Sequence, residues 1–125
     1  MKITTFNEYQ KEAVILKISL NRFKEMFNET DENIIKLLAV TYDGLGLGEA
    51  GEIQGKIKKI IRDDGGIITE EAKKEIMKEA GDTLWYLASL CENLGTTLEE
   101  VANENIEKLN SRRERGTLYG SGDNR

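Results

Sequence analysis

An all-α fold is what this sequence predicts, and three observations lead there. The 125 residues contain no proline and 33% of them are charged, a composition that favours long helices over a sheet. Apolar residues recur at alternating spacings of three and four, the pattern of one buried helix face. Residues that start helices precede these runs and glycine follows them, as at Thr69, Thr97 and Gly95. The result is a four- to five-helix bundle forming a single domain over residues 1–113, with a flexible Gly/Arg-rich C-terminal tail over 114–125.

Phe6, Tyr9, Ala13, Leu16, Leu20, Phe23 and Phe27 define a first helix over about residues 6–27. Asn28-Glu29-Thr30-Asp31 supplies turn and N-cap residues, so a second helix starts at Thr30 or Asp31 and runs through Ile34, Ile35, Leu37, Leu38 and Tyr42. Gly44, Gly46 and Gly48 interrupt the pattern, as a bend or as a tightly packed helical stretch. Ile53, Ile57, Ile60 and Ile61 resume it, and Arg62-Asp63-Asp64-Gly65-Gly66 closes it in a loop. Thr69 caps a helix over about 70–93 whose first-turn acids, Glu70 and Glu71, suit the positive end of the helix dipole, and Gly95 stops it. Thr97-Leu98-Glu99-Glu100 is a capping-box pattern opening a last helix through Val101, Ala102, Ile106 and Leu109.

Turning the 70–93 helix by about 100° per residue, with Leu87 as the centre of its buried face, places Ile76, Ala80, Leu84, Cys91 and Leu94 near that centre. Glu79, Asp82 and Tyr86 share one flank, the wall of a cleft. Trp85 lands on the far side and needs a cover, either a partner subunit or the first helix.

A net charge of −5 argues against a domain that binds nucleic-acid backbone. No apolar run approaches a membrane span, and Met1-Lys2 leads straight into polar, periodic sequence, so the expected location is cytoplasmic. Cys91 has no second cysteine and no histidine to activate it, and reads as a small core residue.

Two near-identical tetrads carry the chemistry: Glu49-Ala50-Gly51-Glu52 and Glu79-Ala80-Gly81-Asp82. Acids three apart share one side of a helix, with Cβ atoms about 5–6 Å apart, so two pairs on facing helices present four carboxylates to one cation. Among 23 acidic residues a single such pair arises easily as a solvated face. The repeated Ala-Gly filling argues otherwise, because glycine within a helix costs about 1 kcal/mol relative to alanine and points to close approach of a backbone or ligand. A site of carboxylates alone suits Mg²⁺, with Mn²⁺ as substitute, better than zinc.

Gly46-Leu47-Gly48-Glu49-Ala50-Gly51-Glu52, then Glu79-Ala80-Gly81-Asp82-Thr83-Leu84-Trp85-Tyr86-Leu87, then Asn105-Ile106-Glu107-Lys108-Leu109 closely resemble the MazG-like nucleoside triphosphate pyrophosphohydrolases. The likeness covers roughly residues 40–113, with residues 1–40 alike only in being helical, and the closing tail is similar to that of a phage and bacterial subset. It implies an all-α enzyme in which Glu49, Glu52, Glu79 and Asp82 hold Mg²⁺, one of them (Glu52 or Glu49) instead orienting the attacking water. The implied reaction cleaves a nucleoside triphosphate between its α- and β-phosphates, in house-cleaning or nucleotide-pool control. A specialised dUTP or dCTP diphosphatase and a phosphoribosyl-ATP-type hydrolase share this fold, and a non-catalytic helical interaction module is the rival of a different class.

Phosphates call for cations. Lys56 and Lys59 follow Glu52 on roughly the same helix side, and the resemblance adds Asn105 and Lys108 as contacts to phosphate, base or sugar. Tyr86 is a candidate to line the pocket or stack on the base. Arg112, Arg113, Arg115 and Arg125 among glycines offer a clamp over the phosphates. The two-sided apolar character of the Trp85 helix predicts a homodimer or homotetramer.

Overall fold

The computed structural model describes residues 2–125. Its six α-helices are α1 (Phe6–Ala13), α2 (Leu20–Phe27), α3 (Glu32–Gly46), α4 (Ala50–Asp63), α5 (Glu70–Asn93) and α6 (Leu98–Glu114). The expected all-α class holds, with no strand among the described residues, and the last four helices follow the sequence pattern closely. None of the described helices is long and apolar enough to cross a membrane.

The N-terminus departs from expectation. The helix expected over 6–27 is broken by a 3₁₀ turn at Val14–Leu16 and by Lys17, which is extended at ψ 158. Ser19 then caps α2 by accepting the amide of Arg22 at 3.1 Å. Within this break Lys17 donates its ammonium to the side-chain oxygen of Asn93 at 3.1 Å, tying the segment to the end of α5. α2 ends at Asn28 in the left-handed region, φ 49, where asparagine is tolerated.

Capping fixes the other starts. Asp31 accepts the amide of Asn33 at 2.9 Å, Thr69 that of Ala72 at 3.1 Å, and Thr97 that of Glu100 at 3.1 Å. The box at α6 is half of the expected one, because the Glu100 carboxylate accepts from the Thr96 hydroxyl instead. Gly95, at φ 74, lets the chain reverse after α5, and the amide of Thr96 returns to the carbonyl of Cys91 at 2.9 Å, a Schellman closure. The glycine-rich stretch after Tyr42 is no sharp bend: α3 runs to Gly46, a 3₁₀ turn spans Leu47–Glu49, and α4 follows directly.

α5 is the spine, packed against α1, α3, α4 and α6. One core holds Ala13, Ala88, Cys91 and Leu98 with Tyr9, Leu84, Trp85 and Leu87 packed around them. A second holds Phe23, Ile35 and Ala39 with Ile18 and Leu38. The buried face of α5 thus centres on fully buried Ala88 rather than Leu87, and Leu94 lies exposed, because helices flank α5 on more than one side. Cys91 is a buried core residue as expected, and burial pushes its thiol pKa up. Trp85 is covered by α1, its indole N–H donating to the Ala13 carbonyl at 3.2 Å.

Gln10, buried on α1, ties both ends of the α5–α6 turn. Its amide nitrogen donates to the Thr96 carbonyl at 3.0 Å and its oxygen accepts the amide of Leu98 at 2.8 Å. Beyond α6 the chain turns back on itself: the Arg125 guanidinium donates to the carbonyls of Thr117, Leu118 and Gly122, and Arg115 to the carbonyl of Arg125.

Candidate active site

The 3₁₀ turn before α4 carries Glu49, and the middle of α5 carries Glu79 and Asp82, so the α3–α4 junction lies against the spine at this point. One carboxylate oxygen from each of these three residues lies within 4.8 Å of the others. Glu49 and Glu79 are half-buried and Asp82 is exposed, which leaves the group open to solvent on one side. Three clustered acids repel one another unless a cation sits among them, and an all-oxygen donor set without histidine or sulfur fits a hard divalent ion.

Glu52 does not join this group. It lies one turn further along α4 with its side chain in solvent, and no hydrogen bond or ion pair among the described residues turns it inward. Glu79, by contrast, is held by Lys56, whose ammonium is 3.6 Å from its carboxylate and 3.9 Å from that of Glu75. The expected four-carboxylate cluster is therefore three carboxylates with a fourth nearby.

Beside the cluster is a hollow of about 250 Å³ lined by Glu49, Asp82, Trp85 and Tyr86. The indole and phenol rings meet edge to face with centroids 4.9 Å apart, and Tyr42 extends the aromatic wall 6.2 Å from Tyr86. Burial first, then the Tyr42 hydroxyl, then the charges of Glu49 and Asp82 hold the Tyr86 phenol above its ordinary pKa. Burial and Asp82 do the same to Tyr9 on α1, which marks Tyr9 as a further neighbour of the acids. Gly46 is what lets Tyr86 sit here: a Cβ on Gly46 would lie 2.1 Å from the Tyr86 ring.

The glycines within the two tetrads behave otherwise. No side chain or distant backbone comes within 4 Å of a Cβ built at Gly51 or Gly81, so the close backbone approach read from them is absent, and both face open space.

The MazG nucleotide pyrophosphohydrolase domain matches residues 42–117, more than half of the chain and all four tetrad acids. The chain belongs to the MazG nucleotide pyrophosphohydrolase family. Gene 37 protein of Mycobacterium phage L5 is 48% identical over 87 residues, covering 69% of this chain and 76% of that protein. No solved structure matches significantly.

The MazG match includes α6, yet the cations expected from it lie apart from the acids. Asn105 and Lys108 border a separate hollow of about 330 Å³ with Val101 and Glu104, and Lys108 pairs with Asp123 at 3.7 Å. Arg112 is buried and donates to the Asp123 carbonyl. Arg115 and Arg125 are engaged within the tail. Lys59 lies near Asp63, whose pKa it helps to lower after Arg62. Of the expected cations, Lys56 alone has an ion pair with the acid cluster among the described residues.

Sequence reasoning missed Trp85 and Tyr9 as neighbours of the acids. Trp85 carried a signal, because an aromatic three residues beyond Asp82 shares its helix side. Tyr9 carried none, since only the packing of α1 brings it there.

Proposed function

We propose that this chain is a divalent-metal-dependent hydrolase that cleaves a nucleoside or deoxynucleoside triphosphate between the α- and β-phosphates, yielding the monophosphate and pyrophosphate. Mg²⁺ is the ion, with Mn²⁺ able to replace it. The observation that carries this is the convergence of Glu49, Glu79 and Asp82 oxygens within 4.8 Å at the edge of an aromatic-walled hollow.

Glu49, Glu79 and Asp82 would hold the ion, which when bound supplies neutralisation of phosphate charge and a more acidic water. The three carboxylates would otherwise repel a polyphosphate. Lys56 turns Glu79 toward the cluster and offers the adjacent positive charge to the leaving phosphates. Glu52, free on the solvent side one turn away, accepts the proton of the attacking water. A bond forms from that water's oxygen to phosphorus while the α–β anhydride bond breaks. Trp85 and Tyr86 hold the nucleobase by stacking. The hollow is smaller than the roughly 300–1,000 Å³ of a complete ligand pocket, which supports a homodimer or homotetramer as the working unit.

The test is product analysis from a panel of canonical and damaged ribo- and deoxynucleoside triphosphates, with Mg²⁺ and with Mn²⁺. Equal release of monophosphate and pyrophosphate is expected. Orthophosphate release, or no turnover on any member, contradicts the reading.

A further inference from the structure

Asp43 is a buried carboxylate, 1% exposed, that the proposed chemistry does not use. It sits between α3 and α5, accepting the Ser89 hydroxyl at 2.6 Å on one oxygen and the Asn93 amide at 2.7 Å on the other. Lys17 fixes the direction of that amide: by donating to the Asn93 oxygen it leaves the NH₂ group facing Asp43.

The position of this bond along the two elements gives it a consequence. Residues 43, 46 and 49 succeed one another at one-turn spacing, and their partners on α5 are 89, 86 and 82. At the first level Asp43 is bonded to Ser89, at the second Gly46 lies against the Tyr86 ring, and at the third Glu49 meets Asp82 and Glu79. Sliding α3 by one residue means a shift of about 1.5 Å and a turn of about 100°, whereas metal–ligand distances tolerate about 0.2 Å. The buried neighbours Ala39 and Ala88 offer only methyl groups against such sliding, while the two bonds of Asp43 are directional.

We propose that Asp43, with Ser89 and Asn93, is a positioning residue that sets the register of α3 on α5 and so the separation of Glu49 from Glu79 and Asp82. This rests on the metal-site reading above. The test is Mn²⁺ titration by calorimetry, alongside thermal melting, of the wild type, Asp43→Asn and Asp43→Ala. The asparagine can accept from Asn93 and donate to Ser89, so Mn²⁺ affinity stays within about twofold of wild type, whereas alanine lowers it by about tenfold or more. Ser89→Ala removes one bond at small volume change and serves if Asp43→Ala does not fold; a weakening of about threefold or more supports the register role. Ser19→Ala, which removes the side-chain cap of α2, lowers the melting temperature without changing Mn²⁺ affinity. Wild-type Mn²⁺ affinity in both Asp43→Ala and Ser89→Ala, whatever their melting temperatures, overturns the register role alone. Absence of Mn²⁺ binding in the wild type overturns the metal site and this role together.

Discussion

Two kinds of glycine in this chain test the packing residue by residue. At Gly46 the space for a side chain is taken by Tyr86, so Gly46→Ala should destabilise the protein by about 1–3 kcal/mol through overpacking. Gly81 faces open space within a helix, and Gly81→Ala should stabilise by about 0.5–1 kcal/mol; urea unfolding reads both. Tyr86 itself reports on the acids. Its pKa is raised in the fold, so its stabilising contribution is complete below the ordinary phenol value of about 10 and is lost as pH rises through the higher folded value. Absorbance titration should therefore show late titration from both Tyr86 and Tyr9, of which Tyr86→Phe removes one tyrosine's share, and added Mg²⁺ should bring the Tyr86 titration to lower pH by offsetting Glu49 and Asp82. How legible the site was follows from such details. Glu79 and Asp82 could be read because three-residue spacing within one helix fixes a side regardless of tertiary context, whereas the same spacing paired Glu49, in the 3₁₀ turn before α4, with Glu52, which stays outside the cluster. Asp43 could not, since an isolated acid in an amphipathic stretch looks solvated until Ser89 and Asn93 are placed beside it.

At the scale of elements, starts written in local chemistry were legible. Asp31, Thr69 and Thr97 cap their helices through amides two or three residues on, and Gly95 ends α5 through its own backbone freedom. The interruption between α1 and α2 was not: apolar periodicity runs straight through it, and the Lys17–Asn93 bond that ties this segment to the far end of α5 leaves no trace in the pattern. The rotation of α5 was misjudged for a similar reason: α1 and α3 bury different sides of it, so no single stripe describes its core. Gln10 binds these elements together, and Gln10→Ala leaves the buried amide of Leu98 without its acceptor. The expected loss is about 1–3 kcal/mol, measured by denaturant unfolding, with α6 the first element to lose amide protection in hydrogen exchange.

For the whole molecule, the surface is large for the mass. The chain exposes 9213 Å², whereas a compact monomer of 14.1 kDa exposes about 6,700 Å². An excess of about 2,500 Å² on each chain corresponds to about 5,000 Å² over two chains, the upper range of what obligate homodimers bury, and side chains as apolar as Leu16, Leu45 and Ile61 are each at least 70% exposed. Sedimentation at micromolar concentration should accordingly give a dimer or tetramer, and a 14.1 kDa species would exclude both. The proposed chemistry depends on one arrangement, the meeting of the α4 entrance with the middle of α5. Mn²⁺ titration of the wild type, Glu79→Gln and Glu52→Gln, paired with pyrophosphate release, tests it most directly. Glu79→Gln should lose Mn²⁺ binding and turnover together, while Glu52→Gln should keep binding and lose about 100-fold or more in turnover. Unchanged Mn²⁺ binding in Glu79→Gln would contradict the account.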